Sequence, residues 1–159
     1  MNQLTELLLA LFILNLGTAF GAGLYETRIV LPLWFLRSPD LTYRVNTEAM
    51  HTIETGRTFW GFVTTGPLTL LTLANIFAAW QSPDPVHDWW LSAALLTLAE
   101  RTGTFAFFIP TAIKLQKAGQ LPAASVSRLV TSWVRLNYLR NALTLIAWLL
   151  ALKALTIGR

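Results

Sequence analysis

The sequence predicts an all-α integral membrane protein, a four-helix transmembrane bundle forming a single domain over residues 1–159. Three observations predict it. The 159 residues are 54% apolar and only 13% charged, where soluble domains run nearer a quarter charged. The mean hydropathy is +0.51. Leu-rich stretches of membrane-crossing length recur four times, separated by short polar connections.

The first span is read at residues 4–36, LTELLLALFILNLGTAFGAGLYETRIVLPLWFL. A signal peptide would begin with positive charge and have a shorter apolar run, so this reads as a retained helix, bent near Pro32. The second span covers 55–80 and contains Gly66-Pro67; the third covers 89–115, with Pro110 near its end. The fourth covers 127–155. SPDPVHD (82–88) and QKAGQLPAAS (116–125) are polar turns. Trp34, Trp80, Trp89 and Trp90 fall near span ends, where an aromatic belt would place them. Spans one and three share a coarse pattern, Glu26-Thr27-Arg28 before Pro32 and Glu100-Arg101-Thr102 before Pro110.

Charge placement predicts orientation. Arg37 and Arg44 follow the first span, and Lys114, Lys117 and Arg128 surround the third connection, whereas the 82–88 turn has no Lys or Arg. The positive-inside bias puts loops 37–54 and 116–127 in the cytoplasm and both termini outside, in a membrane read as the bacterial inner membrane. The net charge of +4 is explained by these flanking residues and does not point to nucleic acid. With no Cys, disulfides, thiolate metal sites and thiol nucleophiles are excluded. The partners expected are the lipid bilayer and a lipophilic small molecule, with a homo-oligomer or a membrane-complex partner left open.

The polar residues inside the spans carry the functional reading. Glu26, Glu54 and Glu100 lie in or against apolar helix. A charged carboxylate at mid-membrane costs roughly 2.5 kcal/mol or more, so each must be paired, protonated or facing a wet cavity. Candidate partners are Arg28, Arg57, Arg101, Arg135 and Arg140. In the fourth span Trp133, Asn137, Arg140 and Thr144 follow i, i+4, i+7, i+11 spacing and share one helix face, while Arg135 points elsewhere. Thr97, Glu100, Thr104 and Thr111 form a comparable stripe on span three, and His51, Glu54, Thr58 and Thr65 on span two. One polar cluster at the cytoplasmic side accounts for all of them. Buried Glu–Arg pairs that only lock helix register are the competing explanation.

Three chemistries compete for these residues. His51 and Glu54 stand at i, i+3, and Glu26 with Glu100 could add carboxylates, but a two-metal carboxylate site needs a second His/Glu pair. No cofactor is therefore predicted, and a single metal ion at His51 and Glu54 is the weaker option. General acid–base chemistry fits better. Glu26 or Glu100 would act as base, with His51 as a substitute, while Arg140 and Asn137 stabilise the oxyanion formed. Trp133, Trp60, Tyr25, Glu54 and Arg57 would line the substrate-binding site. Transport is the third class, since intramembrane Glu and Arg also mark proton relays, although four spans are few for a carrier.

GAGLYETRIVLPLW in span one, FFIPTAIKLQ at the end of span three and W-x3-N-x2-R at Trp133, Asn137 and Arg140 together resemble the anthrone-oxygenase-like family of small four-span membrane proteins. The resemblance runs over nearly the whole chain. It implies an oxygenase that converts an anthrone to an anthraquinone with molecular oxygen and no dedicated cofactor. Such chemistry needs a base to form a carbanion and cationic donors to hold the phenolate form. The reading is thus a membrane-embedded oxidoreductase of oxygenase type, acting on a lipophilic aromatic small molecule. The alternative is a non-enzymatic binder, carrier or membrane-complex subunit.

Overall fold

A computed structural model describes residues 2–40 and 42–158. Four long helical rods make the molecule. The first is α1 (Gln3–Tyr25), a π-helical turn (Glu26–Val30) and α2 (Leu31–Trp34). A short antiparallel hairpin follows, β1 (Phe35–Arg37) and β2 (Tyr43–Val45), with Leu36 opposite Arg44, and then α3 (Thr47–Thr52). The second rod is a π-helical segment (Gly56–Thr65) continued by α4 (Gly66–Trp80). The third is α5 (Val86–Gly103), a π turn (Thr104–Phe108) and α6 (Ile109–Leu115); the fourth is the single helix α7 (Ala123–Gly158).

Three rods, Gln3–Trp34, Gly56–Trp80 and Ala123–Gly158, are long and apolar enough to cross a membrane. The third rod is of similar length, but it carries Glu100 and Arg101, which are buried in the bundle. The rods form a ring in which α1 packs on α4, α4 on α5, α5 on α7 and α7 back on α1. This is a membrane four-helix bundle.

Proline explains the π turns. Leu31 N–H reaches back to Glu26 O, Gly66 N–H to Gly61 O and Ile109 N–H to Thr104 O, each over five residues. In all three rods the next residue is a proline: Pro32, Pro67 and Pro110. A proline ring strikes the carbonyl four residues earlier in an α-helix, and the wider π turn moves that carbonyl away. The widened turns fall in one half of the bundle, the half at the hairpin end.

The two halves differ in kind. At the end holding the termini and the 81–85 turn, Leu9, Phe12, Leu16, Leu68, Trp90 and Ala151 close into a dry core. Two of its polar side chains are satisfied within it: Trp90 Nε1 donates to Asn75 Oδ1 at 2.9 Å, and Asn75 Nδ2 donates to Leu71 O at 2.7 Å. At the other end Val30, Trp34, Met50, Phe108, Leu115 and Trp133 form a second cluster beneath the hairpin and α3. The hairpin is tied to α7 by Tyr43 N–H donating to Ser127 Oγ at 3.1 Å.

Several expectations are corrected. Loop 37–54 is a hairpin and a helix, with Asn46 capping α3 by accepting from Ala49 N–H at 3.1 Å. The aromatic belt is half right: Trp80 and Trp89 are exposed, but Trp34 and Trp90 are buried in the bundle. The stripe drawn through His51, Glu54, Thr58 and Thr65 does not exist. His51 belongs to α3, outside the second rod, and π winding beyond it turns Thr64 inward and leaves Thr58 exposed. On span three, by contrast, Thr97, Glu100, Thr104 and Thr111 are all buried.

Candidate functional site

The hairpin-end half of the bundle encloses a cavity of about 280 Å³, just under the ~300–1,000 Å³ of small-molecule pockets generally. It has room for one ligand of modest size. Its walls are mostly apolar, and Phe108, Trp34, Trp60 and Trp133 supply flat aromatic surface. The charged groups on its lining are Glu26, Glu54, Arg57, Arg101 and Arg140.

Glu26 opens the π turn of the first rod, so its side chain leaves the helix where the winding widens inward. It is 4% exposed. Arg140 Nη2 donates to Glu26 Oε2 at 2.7 Å, and Trp60 Nε1 donates to Oε1 at 3.2 Å. Three rods thus meet on one carboxylate. Arg140 Nη2 also lies 2.6 Å from Asn137 Oδ1, the acceptor one helical turn back. Asn137, fully buried, donates from Nδ2 to Thr27 Oγ1 at 2.7 Å, and Thr27 donates to Gly23 O at 2.7 Å. The guanidinium is flanked by rings, 4.5 Å from the Phe108 centroid and 5.3 Å from that of Trp60. A cation so placed gains from both ring faces and is fixed in direction.

Asn141 extends the same seam, donating to Thr27 Oγ1 at 3.0 Å and Gly23 O at 3.3 Å. Gly23 is what lets the two rods close there, because a Cβ on it would overlap Asn141 Oδ1.

Glu100 is a different kind of group. Arg101 grips it side-on, Nε to Oε2 at 2.5 Å and Nη2 to Oε1 at 2.7 Å, and Thr104 Oγ1 donates to Oε1 at 3.1 Å. It is buried yet does not line the cavity. Its chemistry is internal to the third rod.

The remaining predicted residues divide clearly. Trp133 and Trp60 line the cavity, and Glu54 with Arg57 sits at its rim as an i, i+3 pair at 3.2 Å, Arg57 being 86% exposed. Asn137 stands behind the wall and orients Arg140. Tyr25 points outward at 61% exposure and does not reach the cavity. His51 is exposed on α3 and likewise stands off the lining. Among the described residues no three His, Asp or Glu side chains converge as a metal centre requires, so His51 and Glu54 are not joined by Glu26 or Glu100. Arg135 is exposed, as its helix position predicts.

Sequence reasoning missed Arg101, Phe108 and Trp34 as cavity residues. For Phe108 the available signal was Pro110, which marks the π turn that carries it, whereas Arg101 and Trp34 lie in α5 and α2, outside the π turns.

Fold and site together define a membrane-embedded helical bundle with an aromatic, charge-bearing cavity in one half. The model of the anthrone oxygenase family matches residues 52–150, more than half of the chain, and the chain belongs to that family. The match takes in Glu54, Trp60, Glu100, Arg101, Asn137 and Arg140, while Glu26 lies ahead of it. No curated protein and no solved structure matches the chain.

Proposed function

We propose that this protein is a membrane oxidoreductase of oxygenase type that oxidises a lipophilic aromatic substrate of the anthrone kind inside the cavity. The observation that carries the reading is the Glu26–Arg140 pair: a carboxylate and a ring-flanked guanidinium, 2.7 Å apart, on the wall of an aromatic cavity. In the proposed reaction Glu26 takes a proton from the activated methylene carbon of the substrate. The negative charge then passes to the substrate oxygen, and Arg140 becomes its counter-ion without moving far. The net charge of the pair and substrate together is conserved, which keeps the transfer from being costly in a low-dielectric site. Asn137 holds the guanidinium in place for both partners.

The carbanion reduces molecular oxygen and forms a C–O bond, and the peroxide formed takes the proton back from Glu26. Loss of the second methylene proton with cleavage of the O–O bond leaves a carbonyl and releases water. Substrate plus O₂ thus gives quinone plus water, with the substrate as the only reductant and no resident cofactor invoked. Phe108 and Trp133 would stack against the rings.

The cavity lies at the basic end of the bundle, beside Arg37, Arg44, Lys114, Lys117 and Arg128. By the positive-inside rule that end faces the cytoplasm, in this reading that of a bacterial inner membrane. The test is oxygen consumption and quinone absorbance by purified protein in detergent with an anthrone, above the rate without enzyme, with and without chelator. Binding of the anthrone with no added oxygen uptake would instead favour a binder or carrier.

A further inference from the structure

Several residues of the cavity wall carry buried donors that lack acceptors. Among the described residues six buried side-chain N or O atoms have no hydrogen-bond partner, and four belong to cavity residues: Trp34 Nε1, Thr55 Oγ1, Arg101 Nη1 and Trp133 Nε1. The two carboxylates that could serve them are engaged elsewhere, Glu26 by Arg140 and Trp60, and Glu54 by Arg57. A buried donor without an acceptor is costly, and an unpaired guanidinium N–H especially so. The cavity therefore lacks what an oxygen-bearing ligand would bring.

Arg101 is the strongest of these groups. It is 5% exposed, and Glu100, itself accepting from Thr104 Oγ1, holds the guanidinium by its Nε and Nη2 edge. That clamp fixes the orientation and leaves the two N–H bonds of Nη1 unused. Glu100 is thus a positioning residue for Arg101. Arg140, the cation already described, places its Nη2 donors on Glu26 and Asn137.

We infer that Arg101, clamped by Glu100, forms a second acceptor-binding position in the cavity, which recognises a phenolate or carboxylate oxygen carried on the ring system of the ligand, apart from the oxygen held at Arg140. The inference rests on the proposed function for the aromatic frame of the ligand.

The experiment compares two probes, anthraquinone-2-carboxylate and 2-methylanthraquinone, which share the quinone and differ in the anionic oxygen. Binding to the full chain in detergent is read by quenching of tryptophan fluorescence. The expected result is a preference of tenfold or more for the carboxylate in the wild type. It should fall to within twofold in the double variant Glu100→Gln/Arg101→Gln, which removes both buried charges together, with the affinity for the methyl compound little changed. Arg101→Lys keeps the charge opposite Glu100 but loses the fork, and it should cut the preference too. No preference in the wild type, or a preference that survives in whichever variants fold, overturns the inference. Because the readout is binding, it decides this point even if the wild type consumes no oxygen with any anthrone, the result that would instead sink the oxygenase reading.

Discussion

Arg140 and Glu26 stand 114 residues apart in the chain and 2.7 Å apart in space, joining the last rod to the first across the cavity wall. The pair is 12% and 5% exposed at its side chains, so little water screens it. Its position is over-determined. Asn137 and Thr27 anchor the arginine from behind, while Phe108 and Trp60 hold it between their rings.

Glu26→Gln separates chemistry from packing. The amide keeps the shape and accepts from Arg140, but it cannot take a proton. Oxygen consumption with an anthrone is expected to fall by about 10²–10⁴-fold, the range for loss of a general base. The thermal midpoint in detergent should drop modestly, by the equivalent of about 1–3 kcal/mol for a buried charge left with a weaker partner. Activity within a few-fold of wild type would remove Glu26 from the mechanism.

Glu100→Gln should show the opposite balance. Both carboxylate oxygens are spent on Arg101 and Thr104, so the first casualty is the buried guanidinium. Breaking one partner of a buried pair costs about 3–5 kcal/mol when nothing replaces it, and Gln replaces it in part. The expected outcome is a thermal midpoint lowered more than in Glu26→Gln, with a smaller loss of turnover per folded molecule. Thermal denaturation and oxygen uptake on the same preparations distinguish the two variants.

The two glutamates show which parts of the site the sequence could disclose. Depth in the spans and the face shared by Trp133, Asn137, Arg140 and Thr144 were legible, because α7 is an unbroken α-helix of 36 residues and ideal spacing holds along it. The same arithmetic failed on the second rod, where ten residues wind as a π-helix and His51 belongs to a separate helix. It also left Arg101 out. In an ideal helix neighbouring residues point about 100° apart, and only the length of the arginine side chain lets it grip Glu100 and still line the cavity. The hairpin at 35–45 was invisible because two three-residue strands around Pro39-Asp40 read as a plain connection.

His51→Ala tests the residue that sequence spacing favoured and the fold places outside. His51 is exposed on α3 and off the cavity lining. Oxygen uptake should stay within about twofold of wild type, and the stability change within ±0.5 kcal/mol, as for ordinary surface positions. A large loss of activity would mean that α3 closes over the cavity during turnover.

Gly23→Ala and Gly21→Ala form a matched pair on α1. Alanine is favoured over glycine within a helix by about 1 kcal/mol, so each change should stabilise if space allows. At Gly21 nothing lies within 4 Å of an added Cβ, and that variant should be neutral or slightly more stable. At Gly23 the Cβ would overlap Asn141 Oδ1, which must swing away and give up its bonds to Thr27 and Gly23 O. Overpacking of this kind costs about 1–3 kcal/mol, enough to outweigh the helix gain. Because Thr27 also holds Asn137, and Asn137 holds Arg140, turnover should fall with stability in Gly23→Ala and in neither respect in Gly21→Ala. Thermal melts and oxygen uptake on both variants check this, and equal behaviour of the two would show that the seam between α1 and α7 is looser than its contacts imply.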